Sequence, residues 1–248
     1  RPSDGKPAWL AESYPTWHGA GGPLYGQKDY DRFVRAYLAT LLSVDESVGR
    51  IYAALAAAGQ LDRTIIVFTS DNGSVLGEHG RVDKRTAYDE SLRIPLLVRY
   101  PPLVKPGTVI RELVLSLDLA PSLVDLCGAP ALPSAQGRSF KPLLAGRHPR
   151  WRQSFLYEYN FEAQFPYTPN VRAVRTPDWK SIRYPHGDGG PDRFAPELYD
   201  LRHDPYEMTN RVSDPRLVGQ RAKLERELER LSQAAGPDAM PVYTGIQN

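Results

Sequence analysis

The fold class of this chain follows from one short segment, Thr64-Ile65-Ile66-Val67-Phe68-Thr69-Ser70-Asp71-Asn72-Gly73. Its apolar residues stop abruptly at a polar turn, and a β-branched run closed by a turn is typical of a buried strand in a parallel sheet. Open α/β sheets carry their ligand chemistry just beyond the carboxyl ends of the strands. Asp71 and Asn72 are therefore candidate cation ligands, and Lys84 could add a positive charge in the same loop.

The residues around this segment predict alternating helices and strands, as in an α/β fold. Apolar residues recur every three or four positions from Phe33 to Leu55, which predicts a helix with Asp31 as its N-cap and Gly59 at its end. Beyond the polar loop, the pattern predicts a second buried strand at 94–100, an extended segment at 109–115 and a short helix at 117–126.

Composition changes near residue 147, where Arg147-His148-Pro149-Arg150 is typical of a linker. We predict that residues 1–147 belong to the α/β domain and that residues 148–248 form a small α+β subdomain. The subdomain is predicted to hold an antiparallel sheet with strands at 155–159, 171–175, 180–184 and 197–201, a glycine-rich turn at 186–190 and a last helix at 216–235.

Composition excludes several classes of function. The chain has 248 residues, 41% of them hydrophobic and 24% charged, which is ordinary for a globular domain. Its net charge of +2 is spread along the sequence, so nothing resembles the clustered basic patch of a nucleic-acid-binding protein. No apolar run approaches the length of a membrane span.

The single cysteine, Cys127, limits cysteine chemistry. One cysteine permits neither an internal disulfide nor a cysteine-based zinc site. Its position after Leu126 and before Gly128 predicts a small buried side chain at a helix end.

A resemblance to a known family becomes specific over residues 70–101, SDNGSVLGEHGRVDKRTAYDESLRIPLLVRYP. This run resembles the second signature region of the type I sulfatases, within the alkaline phosphatase superfamily. Four further segments resemble the same family in the same order: YLATLLSVDESVGRI, SLDLAPSLVDLCGAP, QGRSFKPLL and ELYDLRHDPYEMTN. The resemblance implies an alkaline phosphatase-like fold, a sheet sandwiched by helices, of which this chain is the C-terminal part.

The resemblance also implies roles for individual residues. Asp71 and Asn72 would be metal ligands, and Lys84 would contact the sulfate ester and its leaving-group oxygen. Oxygen donors suit Ca²⁺ or Mg²⁺ better than softer metals, and the asparagine, by resemblance, indicates Ca²⁺. His79 would either contact the substrate or brace the loop by hydrogen bonding, and Glu78 is more typical of a structural role.

Type I sulfatases use a formylglycine made from the cysteine of C-x-P-S-R, and Cys127 lacks that context. We therefore expect the formylglycine, the other metal-binding aspartates and the catalytic histidine in an N-terminal part that precedes Arg1. His18 follows no apolar strand, which favours a structural or peripheral role for it. On this basis the 248-residue chain by itself is expected to be inactive.

Candidate substrate contacts lie in the subdomain. They are Arg172, Arg175, Tyr167 and Asn170, although structural ion pairing is the alternative for both arginines. The resemblance implies hydrolysis of the sulfate ester of a carbohydrate or small molecule, in the periplasm or outside the cell. Two alternatives remain at this point: a phosphonate monoester or phosphodiester hydrolase of the same superfamily, and a non-catalytic glycan-binding relative.

Overall fold

The computed structural model describes residues 5–22, 24, 27–185, 193–236, 240–242 and 244. The glycine-rich turn predicted at 186–190 lies outside these residues. The helices are α1 (Ala8–Ser13), α2 (Gln27–Ala57), α3 (Asp89–Leu92), α4 (Leu119–Leu126), α5 (Lys141–Leu144) and α6 (Val218–Ala235). The strands are β1 (Ile66–Thr69), β2 (Val75–Leu76), β3 (Val82–Asp83), β4 (Leu96–Arg99), β5 (Phe155–Tyr159), β6 (Val171–Arg175), β7 (Trp179–Arg183) and β8 (Glu197–Asp200).

The chain divides into two compact units, each built from separate stretches of sequence. The first unit comprises Arg1–Ala36, Asn72–Ile94 and Ser154–Asn248, and the second comprises Tyr37–Asp71 and Pro95–Gln153. The predicted division after residue 147 remains a prediction. In the structure, the Lys84 loop belongs to the same unit as the C-terminal sheet.

The first unit is built on the predicted antiparallel sheet, with strand order β5-β6-β7-β8. Side chains alternate between its faces. Ala173 and Ile182 join a core with Trp9 and Tyr88, whereas Val174 packs on the other face with residues of α6. Helix α6 presents its buried Leu224 and Leu228 to that second face, as expected of an amphipathic helix. The predicted subdomain sheet and terminal helix are confirmed.

The second unit contains β1 and β4, and here two predictions are wrong. The strands pair antiparallel, with Ile66 opposite Arg99 and Thr69 opposite Leu96, rather than lying in a parallel arrangement. They are also only partly buried, since Phe68 is 39% exposed and Leu97 is 65% exposed. An apolar run predicts a strand, but it does not determine the direction of the neighbouring strand.

Other predicted elements shift or disappear. Helix α2 begins at Gln27, so Asp31 lies inside the helix and is not its N-cap. No strand forms at 109–115, although Ile110 and Val114 contribute to the core around Phe140. Cys127 follows α4 as predicted, but it is exposed rather than buried. The backbone turns away there, with Gly128 at a φ of +68°.

The stripe predicted along α2 is present as a pattern, but much of it faces outward. Tyr37, Leu41, Val44 and Ile51 are between 42% and 56% exposed. Among the described residues, no helix combines the length and the apolar character that a membrane span requires.

Candidate active site

The polar turn after β1 places the first predicted ligand. Asp71 is exposed, it is the last residue of its stretch in the second unit, and its Oδ1 accepts a hydrogen bond from Ser70 Oγ at 3.3 Å. Strand β1 ends at Thr69 because the apolar run ends there, so the carboxylate leaves the strand at its carboxyl end as predicted.

Asn72 begins the next stretch of the first unit, where it contacts the predicted lysine. Lys84 Nζ donates a hydrogen bond to Asn72 Oδ1 at 3.2 Å, across twelve residues of sequence. Asn72 Nδ2 donates to the Gly73 carbonyl at 2.8 Å, which orients the amide with its oxygen towards the lysine. The structure thus brings together two of the predicted site residues, Asn72 and Lys84.

Gly73 fixes this turn against α3. Its backbone N–H donates to the Ser91 carbonyl at 2.9 Å. A Cβ at this position would lie 2.1 Å from the Glu90 carbonyl oxygen, so no larger residue fits without moving the backbone. The glycine of the Asp-Asn-Gly sequence is therefore required by close backbone approach.

His79 is buried and packs against residues at the start of α3. Its side chain is 1% exposed, its ring stacks on Tyr88 at a centroid distance of 3.8 Å, and its Nε2 lies 3.2 Å from Glu90 Oε2. Burial raises the pKa of Glu90, but its hydrogen bonds, chiefly to His79, outweigh this and leave the pKa below its ordinary value. These contacts support the bracing alternative for His79, and the substrate-contact role stays a prediction.

A buried charged cluster flanks Lys84 and was missed by the sequence analysis. Asp83 Oδ2 lies 3.0 Å from an Arg81 guanidinium nitrogen and 3.1 Å from His18 Nδ1, and Asp83 Oδ1 accepts from Arg85 at 2.9 Å. Burial raises the pKa of Asp83, but its contacts with His18 and the charge of Arg81 lower it far below the ordinary range. The carboxylate is therefore a fixed negative centre directly before Lys84.

This cluster is held by aromatic side chains as well. The Arg85 guanidinium lies over the Phe165 ring at 3.9 Å, and the His18 ring lies 5.3 Å from that of Tyr167. His18 is buried, which agrees with the structural role predicted for it. Arg81 and Asp83, on either side of Val82 in β3, are both buried, whereas Val82 is half-buried and Lys84, just after the strand, is exposed.

The predicted substrate contacts of the subdomain are engaged within the protein. Arg172 is buried and pairs with Glu158 at 3.0 Å, and Arg175 pairs with Asp89 at 2.9 Å. Asn170 is fully buried, and its Oδ1 accepts from the Phe161 N–H at 2.8 Å. These contacts support structural ion pairing for the arginines, so their binding of substrate stays a prediction.

The donor chemistry fits a hard cation in part. Asp71 and Asn72 supply side-chain oxygens of the kind that Ca²⁺ and Mg²⁺ prefer. Across the described ranges, no group of three or more His, Cys, Asp or Glu side chains is arranged to hold a metal. Because Ca²⁺ takes six to eight oxygen ligands, these two residues could form only part of its coordination sphere.

Comparison with known proteins identifies the family. The Sulfatase family profile matches residues 6–129, and the profile for the C-terminal region of N-sulphoglucosamine sulphohydrolase matches residues 77–234. An N-acetylglucosamine-6-O-sulfatase of Bacteroides thetaiotaomicron is 40% identical over 187 residues, which cover 73% of this chain and 32% of that protein. The chain thus spans about a third of that relative's length.

Solved structures agree with this relationship. A structure described as a complex with its substrate, D-glucosamine-2-N,6-O-disulfate, superposes with a TM-score of 0.78 at 35% identity, covering 89% of this chain and 46% of that one. The phosphonate monoester hydrolase of Agrobacterium radiobacter superposes with a TM-score of 0.74 at 26% identity, covering 90% of this chain and 45% of that one. The predicted alkaline phosphatase-like fold is confirmed, and the chain belongs to the sulfatase family.

Proposed function

We propose that the intact protein hydrolyses sulfate esters on a sulfated glucosamine or a closely related sugar. The observation that carries this proposal is the hydrogen bond from Lys84 Nζ to Asn72 Oδ1. It brings the lysine ammonium next to a candidate metal ligand in the family's signature loop. The similarity to an N-acetylglucosamine-6-O-sulfatase and to a structure with a disulfated glucosamine supports the choice of sugar.

In the proposed reaction, water is consumed and the sugar–oxygen to sulfur bond breaks, which yields the sugar alcohol, sulfate and a proton. Negative charge grows on the departing sugar oxygen as this bond breaks. Lys84 stabilises that charge, and a preorganised charge of this kind contributes about 3–4 kcal/mol. The Gly73 turn fixes the backbone beside Asn72, and the Asn72 Oδ1 accepts a hydrogen bond from Lys84 Nζ, which orients the lysine before the substrate arrives.

Ca²⁺ is the proposed cofactor, with Mg²⁺ as the less favoured alternative. Asp71 and Asn72 would hold it together with ligands from outside this chain, and the cation would supply Lewis-acid stabilisation of the sulfate group. The nucleophile is assigned to a formylglycine outside these 248 residues, because Cys127 lacks the C-x-P-S-R context. The chain by itself is accordingly predicted to be inactive.

Replacing Asp71 tests the metal assignment. We expect Asp71→Ala in the intact protein to lose bound Ca²⁺ and activity together, because a carboxylate ligand is removed. Elemental analysis and turnover of N-acetylglucosamine 6-sulfate measure the two losses. Asp45→Ala, at an exposed aspartate of α2, is the matched control. Equal Ca²⁺ content in Asp71→Ala and the parent would overturn the assignment.

The phosphonate monoester hydrolase remains a second candidate, since its structure superposes over 90% of this chain. Comparing kcat/KM for an aryl sulfate, an aryl phosphonate monoester and a sulfated glucosamine separates the two functions. We expect the sulfated sugar to be the best substrate. A preference for the phosphonate would favour the alternative, whereas binding of sulfated sugar without turnover would indicate a non-catalytic glycan-binding protein.

The proposed location is the periplasm or the outside of the cell, where sulfated polysaccharides are met. It rests on family resemblance. Fractionation of cells that produce the intact protein, with activity measured in each fraction, tests this location.

A further inference from the structure

Ser91, in α3, holds the metal-ligand turn through its backbone. Its carbonyl accepts a hydrogen bond from the Gly73 N–H at 2.9 Å, directly after the candidate ligand Asn72. A Cβ on Gly73 would lie 2.1 Å from the Glu90 carbonyl oxygen and 3.0 Å from that of Arg93, so the turn packs closely against the backbone of α3. The position of Asn72 is therefore set by α3.

The Ser91 side chain holds a second segment, the one that carries Lys84. Ser91 Oγ lies 2.8 Å from Thr86 Oγ1, and the two residues are only 4% and 2% exposed. Two buried hydroxyl groups that share a hydrogen bond keep a fixed separation, because parting them would leave both groups unsatisfied. Thr86 lies two residues after Lys84, and the stretch from Thr86 to Asp89 is buried, whereas Lys84 is exposed. The hydroxyl pair thus anchors the chain beside an exposed lysine.

Together these contacts form a closed ring that includes the candidate site. Three hydrogen bonds make the ring: Lys84 Nζ to Asn72 Oδ1 at 3.2 Å, the Gly73 N–H to the Ser91 carbonyl, and the hydroxyl pair of Ser91 and Thr86. Both ends of the lysine are therefore tied to Ser91. Its ammonium is tied through the metal-ligand turn, and its backbone is tied through Thr86.

Helix α3 is a fixed platform for this ring. The Asp89 N–H, at its start, donates to Glu207 Oε2 at 2.7 Å, and the Asp89 carboxylate lies 2.7 Å from Lys180 Nζ. Lysine, by contrast, has a flexible four-carbon stem, so the place of its ammonium depends on what holds it. A displacement of about 1 Å in a reacting group costs on the order of 10²-fold in rate. Contacts that hold Lys84 to α3 therefore affect the rate without contacting the substrate.

We propose that Thr86 and Ser91 are positioning residues for Lys84, and that their buried hydroxyl pair sets the position of the lysine ammonium relative to the Asn72 amide. Neither side chain is assigned a contact with the substrate. This inference rests on the proposed function, in which Lys84 stabilises the departing sugar oxygen. It adds to that function the two residues that keep the lysine in place.

Ser91→Ala in the intact protein is the first test, because it removes the hydroxyl and keeps the carbonyl that holds Gly73. We expect kcat for an aryl sulfate with a weakly acidic phenol to fall about tenfold, since the lysine is less well placed. The loss should shrink for acidic phenols, which need less assistance to depart. Thr86→Val should reproduce this pattern, and Thr86→Ser, which keeps a hydroxyl, should stay close to the parent.

A double variant and a matched control separate positioning from stability. The kcat of Lys84→Ala/Ser91→Ala should equal that of Lys84→Ala, because the hydroxyl pair acts through the lysine. Ser122→Ala is the control, since Ser122 is fully buried in α4 of the second unit and its Oγ donates to the Asp118 carbonyl at 2.6 Å. It should lower the urea midpoint without any dependence on the leaving group. A loss in Ser91→Ala that is equal for every phenol, or that adds fully to the loss in Lys84→Ala, would overturn the proposal.

A measurement that needs no turnover distinguishes failure of this inference from failure of the proposed function. The intact protein is treated with limiting acetic anhydride, and peptide mass spectrometry gives the acetylation rate of Lys84 relative to the exposed Lys223 of α6. Ser91→Ala and Thr86→Val should raise this ratio about threefold, the change expected when one weak hydrogen bond is released, whereas Ser122→Ala should not.

Each outcome of the acetylation experiment decides one of the two proposals. Ratios equal to that of the parent in both Ser91→Ala and Thr86→Val overturn the positioning role, even where sulfate esters are hydrolysed. A raised ratio in a protein that hydrolyses no sulfate ester supports the positioning of Lys84 and overturns the proposed function alone.

Discussion

Lys84 and Lys180 lie in the same unit, but their surroundings differ completely. Lys180 Nζ is 2.7 Å from both Asp89 Oδ1 and Glu207 Oε1, and its side chain is fully buried. Lys84 is exposed, and its contact is the neutral amide of Asn72 at 3.2 Å. The charge of Lys180 is compensated by two buried carboxylates, so this lysine contributes to stability. Lys84 lies beside a neutral amide, so its charge remains available to a ligand.

Lys180 belongs to a cluster of buried ion pairs with Arg175, Asp89 and Glu207. Arg175 pairs with the same Asp89 at 2.9 Å. Burial raises the pKa of Asp89, but its hydrogen bonds and the charges of Arg175 and Lys180 outweigh this and lower the pKa to about 2. Burial raises the pKa of Glu207 to about 7 despite the nearby ammonium. Removing one of these charged side chains therefore leaves its buried partner without a compensating charge, which is destabilising.

The largest expected effect in this comparison is on folding. We expect Lys180→Met to lower the free energy of unfolding by about 3–5 kcal/mol, because Glu207 loses its buried cation and Asp89 keeps only Arg175 as a partner of opposite charge. Urea unfolding measures the change, and kcat per folded molecule should stay near the parent value. Lys223→Met, at an exposed lysine of α6, is the matched control.

A second substitution sharpens this result. Above about pH 7, where Glu207 is ionised, the double variant Lys180→Met/Glu207→Gln should recover part of the lost stability, since the carboxylate left without its cation is replaced by a neutral amide. If Lys180→Met lowers the free energy of unfolding by less than about 1 kcal/mol, the value typical of an exposed ion pair, the buried cluster does not depend on Lys180 for its charge compensation.

The next effect is on catalysis and leaves folding intact. We expect Lys84→Ala in the intact protein to lower kcat on the order of 10²- to 10³-fold, because one preorganised positive group is lost where charge develops. The urea midpoint should not change, since Lys84 is exposed. The loss should shrink for aryl sulfates with acidic phenol leaving groups, which depart with less assistance.

A leaving-group series provides the decisive measurement for Lys84. Parent and Lys84→Ala proteins are compared on aryl sulfates that differ in phenol acidity. A kcat close to that of the parent, or an equal loss for every leaving group, would show that Lys84 does not assist departure of the leaving group.

Sequence patterns predicted the C-terminal sheet well because its strands alternate clearly. Strands β5 and β6 have the predicted bounds, β7 begins and ends one residue earlier than predicted, and β8 ends one residue earlier. The direction of β4 relative to β1 was not predictable, since an apolar run carries no information about its neighbour. The start of α2 was placed at Asp31 because an aspartate resembles an N-cap, yet nothing between Gln27 and Asp31 interrupts a helix.

The candidate site shows a similar division. Local order along residues 71–84 was enough to select Asp71, Asn72 and Lys84. The charged cluster around Asp83 could not be predicted in this way, because His18 lies 65 residues before Asp83 and only folding brings the two together. Arg81 and Asp83 are two residues apart, so alternation about Val82 could have indicated that these two side chains share a face.

The smallest expected effect in this comparison is a pH dependence from Glu207. Its pKa rises on folding from 4.5 to about 7, chiefly because it is buried, so the folded state holds the proton more tightly. The stability that Glu207 contributes is full below about pH 4.5 and is lost as the pH rises to about 7. This loss is on the order of 3 kcal/mol, at about 1.4 kcal/mol for each unit of pKa. In Glu207→Gln this part of the pH dependence should disappear, while Glu225→Gln, at a partly exposed residue of α6, should keep it. Urea midpoints from pH 4.5 to 8 measure the difference. If the midpoints of the parent and of Glu207→Gln change with pH in parallel, Glu207 does not titrate in this range. Lys180 would then be paired with two ionised carboxylates throughout.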